Sequence, residues 1–269
     1  MINYISVLFE ATKQQAEIIT ALLMDRGYEG AVENENITTI SIQEQHFQES
    51  ELKELMDQQQ VAYTFAVVPQ QNWNAQWESS FEPVQVDDFA LIRASFHEKK
   101  ASVLHDIIIT PKMSFGTGHH ATTYLVIQQM EELDFKDKSV IDFGTGTGVL
   151  AILAEKMGAT SVYAIDNDEW SINNSIENIE ANRCSRVALE LADEMRHREK
   201  ADIILANINL NVIIDNIDKI KAALHSGGST IFSGLLTADE DKITNVLINN
   251  GFKIRKVTHR NGWIAILTS

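Results

Sequence analysis

The sequence predicts an α/β protein in which a small α+β domain precedes a doubly wound, mostly parallel sheet. After Pro111, short apolar runs alternate with helical segments and no further proline interrupts them. This alternation is typical of a parallel sheet with helices on both faces. A separate set of short strands and helices occupies the first 68 residues. The length of 269 residues is sufficient for two domains.

The first 68 residues are predicted to form one complete α+β domain. The predicted elements are a strand at Tyr4–Phe9, a helix after the capping-box pair Thr12 and Gln15, a hairpin over 31–42, a helix capped by Ser50 and a strand at Val61–Val68. The order β-α-β-β-α-β is that of a ferredoxin-like domain. The domain shows no catalytic group of residues, and its acidic turns favour a role in recognition.

Proline marks the boundary between the two predicted domains. Pro69 ends the last strand of the first domain, and Pro83 precedes the β-rich passage that opens the second. We therefore expect domains at residues 1–68 and 84–269, joined by a helical linker at residues 69–83.

A glycine-rich turn follows an apolar predicted strand of the second domain. The strand Val140–Phe143 contains one acid, Asp142, and Gly144, Gly146 and Gly148 then alternate with threonine. Glycines at alternate positions let the backbone pass close to a ligand, where a Cβ would clash. The helix that follows would present unpaired N–H groups to the same ligand. The segment therefore predicts a strand, a ligand-binding loop and a helix.

Asp166 ends the next predicted strand, where a carboxylate can accept hydrogen bonds from ribose hydroxyls. Three interpretations are open: a nicotinamide dinucleotide site, an S-adenosylmethionine site, or a turn without a ligand. A dinucleotide site favours a glycine at position 149, which is Val149. The observed Gly-x-Gly-x-Gly spacing looks like the S-adenosylmethionine-binding motif of class I methyltransferases. That ligand carries a sulfonium cation, so the nearby acid Asp142 is compatible with it.

A second glycine cluster, Phe115–Gly118, precedes another predicted helix. Thr122 and Thr123 lie at the start of that helix, where their hydroxyls can bond a ligand. His119 and His120 are adjacent, and no cysteine or carboxylate cluster accompanies them. Adjacent histidines on a short loop are poor chelators, so we predict no metal site and expect a positioning or lid role instead.

Asn207 follows the predicted strand Ala201–Ala206. In open α/β sheets ligands bind beyond the carboxyl ends of the strands, which is where this residue falls. Its amide can accept a hydrogen bond from an amine. The alternative role is to cap the next helix, and Asn209 or Asn211 would serve equally well there. Its position at the strand end favours a functional role for Asn207.

The charge limits the possible partners. The formal net charge is −16, and residues 1–60 contain eleven acids and three bases. Such a surface repels nucleic-acid phosphates and suits a cationic partner, although acidic charge also serves solubility.

No run reaches the length of a membrane span, no signal peptide is recognised, and Cys184 is the sole cysteine. We expect a cytoplasmic monomer without membrane or direct nucleic-acid contacts.

Four segments together resemble the PrmA family, whose members methylate the large-subunit ribosomal protein numbered eleven. These segments are Phe115–Thr123, Ile141–Gly146, Ala164–Asp168 and Leu205–Ile208. The resemblance covers the whole chain. It implies the Rossmann-like doubly wound sheet of class I S-adenosylmethionine-dependent methyltransferases, with a small N-terminal ferredoxin-like domain that recognises the substrate.

The resemblance also implies a reaction, in which methyl groups pass from S-adenosylmethionine to lysine side-chain and N-terminal amines of that ribosomal protein. The family's ligand-contacting positions fall on Thr123, Gly144, Asp166 and Asn207. We expect Phe115, Gly116 and Gly146 to bind the cofactor as well, and Asn207 to be the catalytic residue. One alternative is a class I methyltransferase that acts on another protein or on a small-molecule amine or amide. Another is a binding module whose acidic first domain docks a basic partner.

Overall fold

The computed structural model describes residues 3–34, 36–69, 81–110, 119–193 and 200–269. Its internal contacts divide the chain into two units, Met1–Ser80 and Phe81–Ser269. The linker predicted at residues 69–83 falls mostly outside the described residues, so its helical conformation stays a prediction. Among the described residues, no helix is both long and apolar enough to cross a membrane.

The first unit has the ferredoxin-like topology that the sequence predicts. Its elements are β1 (Asn3–Glu10), α1 (Lys13–Met24), β2 (Glu29–Asn34), β3 (Ile37–Gln43), a 3-10 turn (Glu44–His46), α2 (Glu49–Gln59) and β4 (Tyr63–Pro69). The strands pair antiparallel in the order β2-β3-β1-β4. Alternate residues of β1, such as Val7 and Phe9, are buried while Leu8 is exposed, so one face of the sheet packs on the core.

The two predicted helix caps of this unit have different outcomes. Thr12 and Gln15 form the predicted capping box at the start of α1. The prediction that Ser50 caps α2 is wrong, because the helix begins at Glu49 and its cap position is Gln48, without a side-chain hydrogen bond. The earlier start places Glu49 and Glu51 in the first turn, where the helix dipole stabilises negative charge.

The second unit is built on a seven-stranded sheet. The strands of this sheet are β8 (Ser139–Phe143), β9 (Ser161–Asp166), β10 (Val187–Leu191), β11 (Ala201–Asn207), β12 (Leu224–Leu236), β13 (Ile254–Arg260) and β14 (Trp263–Thr268). Their order is β10-β9-β8-β11-β12-β14-β13. The first five strands are parallel, and the closing hairpin β13–β14 is antiparallel, as predicted.

Helices and a smaller sheet complete this unit. The helices are α3 (Ala121–Met130), α4 (Val149–Lys156), α5 (Glu169–Ala181), α6 (Leu210–Ala223) and α7 (Glu240–Asn249), and the small sheet contains β5 (Val84–Val86), β6 (Ala90–Arg93) and β7 (His105–Ile108). Val140 packs into one apolar cluster and its neighbours Ile141 and Phe143 into another. Both faces of β8 are therefore covered, which explains why the strand is mostly apolar, with Asp142 as its one acid.

The strand order creates a crevice beyond the carboxyl ends of the central strands of the large sheet. From β8 the chain continues to β9 and β10 on one side, and it then crosses to β11 and β12 on the other. Such a reversal separates the loops that leave the carboxyl ends of neighbouring strands. The fold therefore brings together the residues that follow β8, β9 and β11.

A buried ion pair joins β6 to β7. Arg93 Nε donates to Asp106 Oδ1 at 2.7 Å, and Nη2 donates to Oδ2 at 2.9 Å. Arg93 also donates to the carbonyl oxygens of Ala94 and His97. With these bonds the buried guanidinium is well paired, so loss of the carboxylate would leave a charge without its counterion.

We expect Asp106→Ala to lower the free energy of unfolding by about 3–5 kcal/mol, because the Arg93 charge would stay buried without its partner. The matched control is Lys256→Ala, which removes an exposed ion pair with Glu132 in the same unit. Its cost should be at most about 1 kcal/mol. Urea unfolding of both variants measures the difference, and equal losses would contradict the structural role of the buried pair.

Candidate functional site

A cavity of about 460 Å³ lies at the carboxyl ends of the central strands. Four residues predicted from the sequence line it, namely Gly144, Gly146, Asp166 and Asn207. Its volume falls in the range typical of small-molecule and cofactor sites. The cavity therefore occupies the crevice that the strand order creates.

The glycine loop after β8 is tied to the end of β9. Gly144, Gly146 and Gly148 have φ values of +79°, +57° and +80°, which favour glycine. The N–H groups of Gly144 and Thr145 both donate to the carbonyl oxygen of Ile165 at 2.9 Å. These two bonds hold the loop against the neighbouring strand.

Helix α5 fixes the same loop from the other side. Ser175 Oγ donates to the carbonyl oxygen of Gly146 at 2.7 Å, and Asn178 Nδ2 donates to that of Thr147 at 2.8 Å. Both Ser175 and Asn178 are fully buried. Because buried polar groups are costly to leave unpaired, these bonds determine the direction of the loop carbonyls.

The two asparagines Asn178 and Asn182 also bind the end of β7. Asn178 Oδ1 accepts from the N–H of Thr110 at 2.7 Å. Asn182 pairs with both backbone groups of Ile108, accepting at 3.0 Å and donating at 2.5 Å. Asn178 and Asn182 are four residues apart in a helix, a rise of about 6.0 Å, and Ile108 and Thr110 are two residues apart in extended chain, a rise of about 6.6 Å. The two side-chain amides are therefore spaced to pair with these two backbone positions. Asn178 therefore connects the glycine loop to Thr110.

Asp166 is fixed at the mouth of the cavity. Its Oδ2 accepts from the N–H of Gly146 at 2.8 Å, and its Oδ1 accepts from that of Asp168 at 3.0 Å. Asp168 in turn caps α5 by accepting from the N–H groups of Trp170 and Ser171. A carboxylate has about four acceptor positions, so Asp166 retains capacity for ligand hydroxyls.

Asp142 is completely buried beneath the loop. Its Oδ2 accepts from Thr145 Oγ1 at 2.6 Å, whereas its Oδ1 has no hydrogen-bond partner among the described residues. Burial raises the pKa of Asp142 from 3.8 to about 7, and the charge of Asp166 adds to the rise. The bond from Thr145 and the backbone of Ala151 act in the opposite direction. The carboxyl group therefore titrates near neutral pH.

Asn207 lies at the carboxyl end of β11 and is 9% exposed. Its Nδ2 donates to Thr123 Oγ1 at 3.5 Å, and its Oδ1 has no partner among the described residues. The alternative role as a helix cap belongs to Asn209, which accepts from the N–H of Val212. Asn207 thus lines the cavity, and its buried amide oxygen has no donor among the described residues.

His120 and Trp263 form another part of the wall, with ring centroids 4.5 Å apart. His120 caps α3 by accepting from the N–H of Thr122, and burial lowers the pKa of its imidazole. This supports the predicted positioning role of His120, while a lid role stays a prediction. No group of three potential metal ligands occurs among the residues that the structure describes.

The structure brings most predicted site residues together. Gly144, Gly146, Asp166 and Asn207 line one cavity, and Thr123 lies behind Asn207 as its hydrogen-bond partner. Phe115 and Gly116 lie outside the described residues, so their roles stay predictions. Further lining residues that the sequence analysis did not assign to the site include Phe143, Asn167, Asp193, Ile208, Gly234 and Trp263. Most of these follow or end a strand, which is the signal that would have found them.

The comparisons with known proteins agree with this geometry. Residues 5–269 match the sequence profile of the family described as ribosomal protein L11 methyltransferase (PrmA). The chain belongs to the PrmA family. A relative named ribosomal protein L11 methyltransferase from Bacteroides thetaiotaomicron is 35% identical over 263 residues, covering 95% of this chain and 94% of its own. One from Porphyromonas gingivalis is 34% identical over 280 residues, covering 98% and 97%.

A solved structure shows the same similarity. The crystal structure of the ribosomal protein L11 methylase from Lactobacillus delbrueckii subsp. bulgaricus is 30% identical, with a TM-score of 0.66. The similarity covers 70% of this chain and 98% of that one. Together with the strand order, this identifies the second unit as a class I methyltransferase domain.

As in the rest of the PrmA family, the methyl donor is S-adenosylmethionine. Family membership thus decides between the two nucleoside ligands that the sequence left open. The residues present fit this ligand. The cavity has room for it, three wall residues are glycines without a Cβ, and the Asn207 amide oxygen has no partner among the described residues.

The pKa of Asp142 leads to a pH-dependent prediction. Because its pKa is raised in the folded state, the wild-type protein loses stability as the pH rises from about 4 to about 7, by roughly 1.4 kcal/mol per unit. Asp142→Asn removes this titration. The stability of the variant relative to wild type should therefore increase by roughly 2–3 kcal/mol between pH 5 and pH 8.

Urea unfolding at both pH values measures this difference. The control is Asp202→Asn, since the N–H of Ser139 holds the pKa of Asp202 below its usual range. A lowered carboxyl pKa affects stability only in acid, so the control difference should be the same at pH 5 and pH 8. A constant difference for Asp142→Asn as well would contradict the raised pKa.

Proposed function

We propose that this enzyme transfers methyl groups from S-adenosylmethionine to lysine side-chain and N-terminal amines of ribosomal protein L11. The substrate is the one that the names of its relatives give. The observation that carries the proposal is the amide oxygen of Asn207, which is buried at the end of β11 and has no hydrogen-bond donor among the described residues. An amine N–H is a suitable donor for that oxygen.

The proposed donor site uses the glycine loop and Asp166. The carboxylate of Asp166 would accept from the ribose hydroxyls, as acids do at the end of the second strand of related nucleotide sites. Gly144 and Gly146 would admit the methionine portion, because neither carries a Cβ. Thr123, Phe115 and Gly116 complete the proposed site by resemblance to the family.

The proposed chemistry depends mainly on positioning. S-adenosylmethionine supplies a methyl group on a sulfonium, and its sulfur leaves as a neutral thioether. The attacking amine must be neutral, whereas free lysine has a pKa of about 10.4. Apolar wall residues such as Phe143, Ile208 and Val212 would lower that pKa by desolvation. Asn207 would then accept one N–H and direct the lone pair, which is the kind of orientation that accelerates a bimolecular step.

The first unit, the proposed recognition domain of residues 1–68, has the charge for a basic partner. Among the residues of this unit whose exposure the structure describes, the exposed acids are Glu10, Asp25, Glu29, Glu44, Glu49, Glu51, Glu54 and Asp57. A protein that binds ribosomal RNA carries positive charge to neutralise phosphates. We therefore propose that this acidic surface attracts the substrate, and that a monomer acts in the cytoplasm, where ribosomes are assembled.

The proposal is tested by methyl transfer to ribosomal proteins from a strain that lacks the enzyme. Purified enzyme and radiolabelled S-adenosylmethionine are added, and the labelled proteins are separated by mass. A labelled band at the mass of ribosomal protein L11, with label on lysine and the N-terminal residue, is expected. Label on a different protein or on small-molecule amines would instead support the alternative substrate class.

A second test concerns the ribose contact. Asp166→Ala should weaken S-adenosylhomocysteine binding roughly 10- to 100-fold, since a hydrogen bond to a charged acceptor contributes about 1.5–3 kcal/mol. Asp168→Ala is the matched control, because it removes a neighbouring carboxylate that caps α5 and does not line the cavity. Calorimetry gives both affinities, and an unchanged affinity for Asp166→Ala would refute the ribose assignment.

A further inference from the structure

Ile208, the residue after Asn207, lies between two glycines, one on each side of β11. Gly144 directly follows β8 on one side of β11, and Gly234 belongs to β12 on the other. A Cβ on Gly234 would lie 2.2 Å from the carbonyl oxygen of Ile208, and a Cβ on Gly144 would lie 2.2 Å from Ile208 Cγ2. We refer to Gly144, Gly234 and the enclosed Ile208 as the glycine notch.

The Gly234 side of the notch contacts backbone rather than side chain. Besides the carbonyl oxygen, an added Cβ would lie 2.7 Å from the carbonyl carbon of Ile208 and 3.0 Å from its nitrogen. Gly234 has a φ of +83°, and the pairing of β12 with β14 shifts register between Phe232 and Leu235. This irregularity brings the Gly234 backbone against Ile208, whose N–H donates to Ser233 O at 3.1 Å.

The side chain of Asn207 is not fixed by its own hydrogen bonds. Its one bond, to Thr123 Oγ1, is 3.5 Å long, and its Oδ1 has no partner among the described residues. A bond at that distance is at the limit of the useful range. The direction of the amide therefore depends on where the backbone of Asn207 and Ile208 is held.

We infer that Gly234 is a positioning residue for the methyl-transfer reaction. Because Gly234 lacks a side chain, the Ile208 backbone can approach β12 closely, and this approach fixes the position of the Asn207 amide at the cavity wall. Gly234 acts through Ile208 and Asn207. The inference rests on the proposed role of Asn207 in binding the substrate amine.

The chain contains a matched control for Gly234. Gly227 belongs to the same strand and has a φ of +80°, yet an added Cβ there would meet nothing within 4 Å. Gly227→Ala and Gly234→Ala therefore impose the same kind of backbone penalty, and only the second displaces Ile208. We expect kcat to fall on the order of 10- to 100-fold in Gly234→Ala, as small misplacements of reacting groups do, and to stay within about 2-fold in Gly227→Ala.

A second measurement reports on Asn207 without catalysis. The side-chain amide of Asn207 gives a pair of signals in a ¹H–¹⁵N spectrum of the full-length protein, assigned by their loss in Asn207→Ala. These signals should shift in Gly234→Ala and stay in place in Gly227→Ala. A kcat for Gly234→Ala equal to that of Gly227→Ala, or a lower kcat with unmoved Asn207 signals, would overturn the inference.

Two further variants separate the possible failures. If Asn207→Ala keeps the wild-type kcat, the proposed role of Asn207 is wrong, whatever Gly234→Ala does. If Gly234→Ala does not fold, Gly144→Ala tests the other side of the notch. It should shift the Asn207 signals, and adding Ile208→Ala, which removes the Cγ2 that the new Cβ would meet, should return them towards wild type. Unmoved signals in Gly144→Ala would overturn the inference.

Discussion

The carbonyl oxygen of Ile165 accepts two hydrogen bonds, from the N–H groups of Gly144 and Thr145, and the site depends on this shared acceptor. It attaches the glycine loop to the end of β9, so that Asp166, the next residue, meets the loop at Gly146. The loop and the acid are therefore positioned by one another. A ligand that contacts both finds them already in place, which reduces the ordering cost of binding.

Asp142, which lies beneath this loop, makes the folded protein less stable. Asp142 is buried with one oxygen unpaired, and burial raises its pKa to about 7. A fully apolar residue there would avoid the cost of a buried charge but would lose the bond from Thr145 within the loop. The chain thus keeps a locally unfavourable acid at the site among the apolar residues Val140, Ile141 and Phe143 of β8, a pattern expected where function and stability compete.

The sequence was sufficient for the fold and for those site residues that periodicity and strand ends reveal. Asp166 and Asn207 were recognised because each closes an apolar run. The start of α2 was misjudged because Ser50 is a strong capping residue, whereas the acids of the first turn stabilise an earlier start. Asn178 was not recognised, since its partners Thr147 and Thr110 are 31 and 68 residues away and no local pattern links them.

Two glycines of β12 show which features of the site cannot be predicted from the sequence. Gly227 and Gly234 lie in one strand with nearly equal positive φ, and nothing in their local sequence ranks one above the other. Their difference is the neighbour, because open space lies beside one and the Ile208 backbone beside the other. The Asn207 amide has one long hydrogen bond, so its position depends on the backbone, which the adjacent strand holds through the bond from the N–H of Ile208 to the carbonyl oxygen of Ser233. With Gly234 as a positioning residue, the orientation of Asn207 would be determined by the neighbouring strand as well as by the strand that carries it.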